Sequence, residues 1–230
     1  LIIWGETPGD VYGMFGPNDF VEMSNRVRIE HEMRGFLAED LIKKSKGKLN
    51  EKDMVWAQYP SEDSLLKNKI RGIYIGNYFK WQPNIHYKLM KKKYGWKESK
   101  KKFERTYRTF SNLDNIFENG THDYLKFIKF GYGRGTDHSN KDIRDGYITR
   151  KQGVKNVLKY DHAIPKDLSF FCKYVGISKD EFFYKADKFR NKNSWWIEDR
   201  KWFKNCIDGK VRSYGETTFN SKEINNFNKK

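Results

Sequence analysis

The sequence predicts an α/β chain that is mostly helical, with a few strands, and three observations carry that expectation. "LIIW" at residues 1–4 is a short apolar run of strand length, followed by the Gly/Pro-rich loop "GETPGDVYGMFGP". From Asp19 to about Lys44 the residues Phe20, Met23, Val27, Met33, Phe36, Leu37 and Leu41 recur mostly three or four apart, the stripe of an amphipathic helix. The last third is a series of short amphipathic segments, each opened by a capping signal.

Between these, "SEDSLLKNK" predicts a short helix, "RGIYIGNYF" a strand and "NIHYKLMKKKYG" a basic helix stopped by Gly95. "FERTYRTF" is compatible with a strand or an extended arm. "THDYLKFIKF" is a helix apolar at Tyr124, Phe127 and Ile128, and a second helix runs from "TDHSN" to Gly146. Thr149 with Gln152 and Ser178 with Glu181 have capping-box spacing, and Pro165 fits the first turn of a helix between them. Beyond Arg190 lies an aromatic, basic tail expected to dock on the helices, with a frayed end at "NSKEINNFNKK". The expected division is 1–80 as the end of an α/β domain, 81–192 as a helical lobe and 193–230 as the tail.

Composition narrows the partners. Lys and Arg number 46 against 30 Asp and Glu, a formal charge of +16 that favours anionic partners or reflects lysines spread over a solvated surface. Two separated cysteines, Cys172 and Cys206, offer neither a disulfide framework nor a zinc site, and no metal-ligand set is expected. No apolar run approaches the ~18 residues of a membrane helix. No basic leader precedes "LIIW", so a cytoplasmic location is expected.

The stretch "KFGYGRGTDH", residues 129–138, carries most of the functional signal. Its G-x-G-x-G order lacks the spacing of a dinucleotide fingerprint, the lysine of a P-loop and the order of an RNA-binding strand. Two readings remain. Gly131, Gly133 and Gly135 could turn backbone N–H groups toward an anion, with Lys126, Lys129, Arg134 and Arg144 adding charge and His122, Asp137 and His138 adding titratable groups. Alternatively the glycines end one helix, Asp137 caps the next and the histidines are surface residues. Glu6, just past the "LIIW" strand, is placed where open α/β sheets bind ligands.

"NLDN" (112–115), "GTHDYLKFIKFGYGRGTDH" (120–138), "DIRDGYITRKQGV" (142–154), "KYVGISKDEFF" (173–183) and "FRNK" (189–192) resemble the N-acetyl sugar amidotransferases of bacterial surface-polysaccharide biosynthesis. So do the opening "LIIWGE" and "YPSEDSL". The resemblance implies a PP-loop, Rossmann-like parent fold and an ATP- and ammonia-dependent ligase. Such an enzyme converts an acetamido group on a lipopolysaccharide, O-antigen or pseudaminic-acid-type flagellin sugar into an acetamidino group. It further implies ATP with Mg2+ as cofactors, an acetamido sugar or sugar nucleotide as substrate and a glutamine amidotransferase subunit as ammonia donor. Glu6, His122 and Asp137 are implied as catalytic. Tyr12, Lys126, Lys129, Gly131, Gly133, Arg134, Thr136 and Arg144 are implied as substrate or phosphate contacts. The family's SGGxDS loop does not occur in these residues, so the chain is expected to be the carboxyl-terminal half of the enzyme and inactive alone. Gly135 departs from the small residue, such as Ala, expected there. The alternative is a basic nucleic-acid-binding module, with nucleic acid the less expected partner.

Overall fold

The computed structural model describes residues 1–5, 22–27, 29, 35–110 and 119–229, in two units, Leu1–Pro83 and Asn84–Lys230. The fold is mixed α/β and mostly helical.

In the smaller unit β1 (Ile2–Trp4) pairs in parallel with β2 (Gly72–Tyr74), Ile3 opposite Ile73. "LIIW" therefore forms the expected strand, but not a buried one: Ile3 is 59% exposed. Parallel pairs are normally covered on both faces, because the crossover connections that join parallel strands lay helices over them. The long helix expected over 19–44 is interrupted where it is described. Beyond the short helix α1 (Asn25–Val27), Gly35 takes φ +75°. Leu37 is extended at the start of α2 (Ala38–Lys44), with its N–H donating to Asp40 Oδ2 at 3.0 Å. A left-handed residue followed by a fresh N-terminus cannot continue the helix. Met54 and Ala57 pack against Ala38, Leu41 and Ile42 to make a small core, while Trp56 beside them is 81% exposed. Ser61 caps α3 (Glu62–Lys67) by accepting from Ser64 N–H.

In the larger unit the basic helix α4 (Pro83–Tyr94) ends before Gly95 as expected. Residues 103–110 form an extended arm rather than a helix or strand, and Arg105, Thr106 and Arg108 on it are buried. Then come α5 (Asn119–Phe130), α6 (Arg134–Arg144), α7 (Arg150–Tyr160), α8 (Leu168–Val175) and α9 (Lys179–Asp187). Thr149 and Gln152 close the expected capping box on α7, and Ser178 caps α9. Pro165 lies ahead of α8 rather than in its first turn.

The tail is a three-stranded antiparallel sheet, β3 (Trp196–Glu198), β4 (Lys201–Asn205) and β5 (Val211–Glu216), followed by α10 (Ser221–Asn228). The β3–β4 turn places both Asp199 and Arg200 at positive φ, the geometry of a two-residue hairpin turn that matches strand twist. The expected fraying at "NSKEINNFNKK" does not occur. Asn220 and Glu223 form a capping box, Phe227 is buried, and the Asn228 amide donates to Ile197 O at 2.7 Å while accepting from Ile197 N–H at 3.1 Å.

Sheet and helices share one core: Tyr124, Phe127 and Ile128 of α5, Phe182 and Ala186 of α9, and Trp195, Trp202, Phe219 and Phe227. Arg190 lies with its guanidinium 4.2 Å from the Trp195 ring and 4.5 Å from the Trp202 ring, its charge answered by Asp187 at 2.9 Å. The same Asp187 accepts from Trp202 Nε1 at 3.0 Å. A buried cation is tolerated here because it is both paired and stacked on aromatic faces.

Candidate functional site

The glycine turn joins α5 to α6, and each glycine has a definite task. Gly131 takes φ +78° and its N–H donates to Phe127 O at 2.8 Å, ending α5 in the left-handed conformation that a side chain resists. Gly133 is the residue before α6 and has negative φ. A Cβ there would come within 3.1 Å of Asp161 O, and one on Gly135 within 2.7 Å of Asp161 Oδ1 and 3.1 Å of Tyr160 Cβ. Gly135 is thus fitted to the close approach of α7.

Asp161 is the anion that this turn faces. Thr136 donates its N–H to Asp161 Oδ1 at 2.9 Å and its hydroxyl to Oδ2 at 2.6 Å, and Gly133 N–H donates to the same carboxylate. Burial pushes the Asp161 carboxyl up while these donors oppose the shift. The backbone cradle read from the glycines therefore exists but is filled from within the protein. Asp167 treats α5 in the same way, accepting from Gly120 N–H at 2.9 Å and from the Thr121 hydroxyl at 3.2 Å. Both helix N-termini are thus satisfied by carboxylates from far along the chain.

Asp137 is not a helix cap, since the N-cap position belongs to Gly133. Its carboxylate sits 2.6 Å from Lys126 Nζ and 3.7 Å from Arg134 Nη1, on half-buried side chains. Arg134 reaches back to Asp123, with Nε at 3.0 Å and Nη2 at 2.8 Å from Oδ1, while Arg105 Nε approaches Oδ2 at 2.6 Å. Asp123 is buried, so these two guanidiniums are what make its charge tolerable. His122 places Nδ1 3.2 Å from Asp123 Oδ1, and its side chain is 64% exposed. The structure brings together His122, Lys126, Arg134 and Asp137, with Thr136 one turn away on Asp161. Lys129 is exposed with its ammonium 5.1 Å from the Phe130 ring, and Arg144 is exposed at the far end of α6; neither joins the cluster. Glu6 and Tyr12 lie outside the described residues, as does "NLDN".

A second cluster lies further along α6. Asp142 accepts from Arg108 Nη2 at 2.5 Å, Arg108 Nε at 3.3 Å, Asn84 Nδ2 at 2.7 Å and the Tyr107 hydroxyl. His138 is buried, with Nδ1 2.6 Å from Thr106 Oγ1. Burial, reinforced by Arg108, Arg134, Lys141 and Arg105, holds its imidazole far below the usual range and therefore neutral. The expectation of surface histidines thus fits His122 and not His138. Arg105, Arg108 and Asp142 were missed because their partners are distant, Arg108 lying 34 residues from Asp142 and Arg105 lying 18 from Asp123; the signal available was two arginines interleaved with threonines in "FERTYRTF".

Among the described residues, no three His, Cys, Asp or Glu side chains could hold a metal ion, and no helix is long and apolar enough to cross a membrane. No curated protein matches the chain. Residues 104–207 match a family model described as "LPS biosynthesis protein WbpG-like, C-terminal domain". The match opens at the arginine arm and takes in the glycine turn, the first cluster and, except for Asn84, the second. This part of the chain is therefore similar to the carboxyl-terminal domain of WbpG-like lipopolysaccharide-biosynthesis proteins.

Proposed function

We propose that this chain supplies the sugar-side part of an amidotransferase that converts an acetamido group of a bacterial surface sugar into an acetamidino group during lipopolysaccharide synthesis. One observation carries the reading. The matched segment holds an open charge cluster, Lys126, Arg134, Asp137 and His122, beside a second cluster that is wholly closed. The motif resemblance and the lipopolysaccharide description of the matched model point the same way.

ATP does not fit the residues described. Within the glycine turn, Gly131 N–H is committed to Phe127 O, Gly133 and Thr136 N–H are committed to Asp161, and no SGGxDS run occurs in the sequence. No step is therefore routed through ATP or Mg2+ here; the proposal leaves amide activation to a PP-loop outside these residues and ammonia supply to a glutamine amidotransferase. Lys126 and Arg134 bind the anionic part of the sugar. With Nδ1–H of His122 donating to Asp123, Nε2 is the free acceptor, and it takes a proton from the ammonia nitrogen as the new C–N bond forms and the C–O bond to the activated amide oxygen breaks, that oxygen leaving with its activating group. Asp137 holds the Lys126 ammonium in place.

The test is ATP- and ammonia-dependent formation of the acetamidino sugar, followed by mass spectrometry, with the protein in its complete enzyme. Arg134→Ala with Asp137→Ala is expected to lower turnover by about 100-fold or more, the scale of a lost charge-stabilising or proton-transfer group. Normal amidination in that variant removes the proposal. The comparison gives the nucleic-acid alternative no support.

A further inference from the structure

A depression of about 840 Å³ opens between the end of α5 and the β3–β4 hairpin. Its volume is that of a small-molecule pocket. Three kinds of group line it. Lys192 and Lys204 are its charged residues, and no carboxylate side chain is among the described lining residues. Trp196 presents an indole held flat by stacking on Phe203, with the ring planes 19° apart, and Phe130 is exposed at the rim. Ser194 and Asn205 offer a hydroxyl and an amide that can each donate and accept.

Two further details point to a ligand. Trp195 is only 2% exposed and lines the depression, yet among the described residues its Nε1 has no hydrogen-bond partner. A buried indole N–H ordinarily finds an acceptor, and leaving one unpaired is costly. Lys204 lies across Gly131, where an added Cβ would meet its Cε at 3.2 Å, so the missing side chain makes room for the lysine arm. Lys192 and Lys204 donate one hydrogen bond each to backbone carbonyls, Asn226 O at 2.9 Å and Asn205 O at 2.8 Å.

Flat aromatic faces favour the polarised C–H face of a sugar ring, since the face of the π system is negative. Two ammonium groups without a nearby carboxylate favour a carboxylate or phosphate, and mixed donors and acceptors favour hydroxyls and an acetamido group. We propose that this depression, whose described lining includes neither Lys126 nor Arg134, is a second binding place for an anionic acetamido sugar, with Lys192 and Lys204 on the acidic group of the molecule bound there and Trp196 under its ring. It extends the proposed function, on which it rests only for the choice of an acetamido sugar. Binding is read without ATP, ammonia or turnover, so failure of the amidination test leaves this result standing, and the reverse also holds.

The experiment titrates the full chain with N-acetylneuraminic acid as the carboxylate probe and N-acetylglucosamine 1-phosphate as the phosphate probe. Neutral N-acetylglucosamine and inorganic phosphate serve as comparisons. Calorimetry gives affinity, and the indole N–H resonance of Trp195 reports occupancy. At least one anionic sugar is expected to bind saturably and to shift that resonance. Lys204→Gln should weaken it about 10-fold and the neutral sugar should bind about 10-fold more weakly, as loss of one charge-assisted contact requires, and Trp196→Ala should weaken it about 10-fold through loss of the aromatic face. Near-UV circular dichroism checks the fold, and Lys204→Gln, a change at a side chain that only flanks the core, decides if Trp196→Ala loosens the hairpin. The proposal is overturned if neither anionic sugar binds, or if a folded Lys204→Gln binds unchanged. It is equally overturned if inorganic phosphate alone binds as tightly as the sugar phosphate, which would make the depression a plain anion patch.

Discussion

Asp137 and Asp142 sit on one helix, five positions apart on α6, and their surroundings differ. Asp142 is buried and receives donors from Arg108, Tyr107 and Asn84. Asp137 has a side chain 24% exposed and holds the Lys126 ammonium with Arg134 nearby. A buried charge with every lone pair answered organises the fold, because removing a partner strands the rest in a low-dielectric interior. A partly exposed charge contributes little to stability, since water replaces its partner, and so it is free to serve a ligand. The difference teaches where function can reside on a chain this rich in ion pairs: in the cluster that tolerates being opened.

The largest expected effect comes from breaking the closed cluster. Asp142→Ala leaves Arg108 buried and unpaired and should destabilise the protein by about 3–5 kcal/mol in urea unfolding. A loss below about 1 kcal/mol would mean that water reaches this site and that the contrast with Asp137 is false.

Next in size is the response to acid. His138 is neutral when folded and protonates readily when unfolded, so its folded pKa lies below its unfolded one. The unfolded chain then binds the extra proton, and stability falls as pH drops below about 6.5, by roughly 1 kcal/mol per pH unit. Unfolding free energies measured between pH 7 and 5 should show this slope, and His138→Gln should lack that component. An unchanged slope in the variant would place the titrating group elsewhere.

The smallest stability effect belongs to the open cluster. Lys126→Met should shift unfolding free energy by less than about 1 kcal/mol, the range of a partly exposed ion pair. A larger loss would move Lys126 and Asp137 into the structural class and weaken the proposed function with them.

The helices were legible because their signals are local. Thr149 with Gln152, and Ser178 ahead of Glu181, satisfy N–H groups within one turn, and the structure uses them as read. The sheet at 196–216 was not legible from its first turn, since Asp199 and Arg200 carry no glycine or asparagine to announce positive φ. Asp208–Gly209 did offer a turn signal between β4 and β5, with Gly209 at φ +78°. One of the two readings of the glycine stretch has N–H groups meeting an anion, but the anion is Asp161, 25 residues beyond Thr136, and no local pattern foretells that. Arg105 on Asp123 and Arg108 on Asp142 are hidden for the same reason: an extended arm has no periodicity to reveal which side chains turn inward.

The two units differ as the two clusters do. Residues 84–229 bury their own aromatic core around Trp195 and Trp202, whereas strand β1 of the parallel pair shows Ile2 and Ile3 to solvent. Shielding only the latter surface, for example by Ile3→Lys, is expected to leave the melting temperature of the larger unit unchanged within about 2 °C, as for a surface substitution.

The most direct measurement pairs two neighbours on one helix. Asp137→Asn and Asp142→Asn are compared for thermal stability and for acetamidino-sugar formation in the complete enzyme. The account predicts that Asp137→Asn melts like the parent but turns over about 100-fold more slowly, while Asp142→Asn loses stability first and activity only with it. Full turnover in a stable Asp137→Asn protein would contradict it.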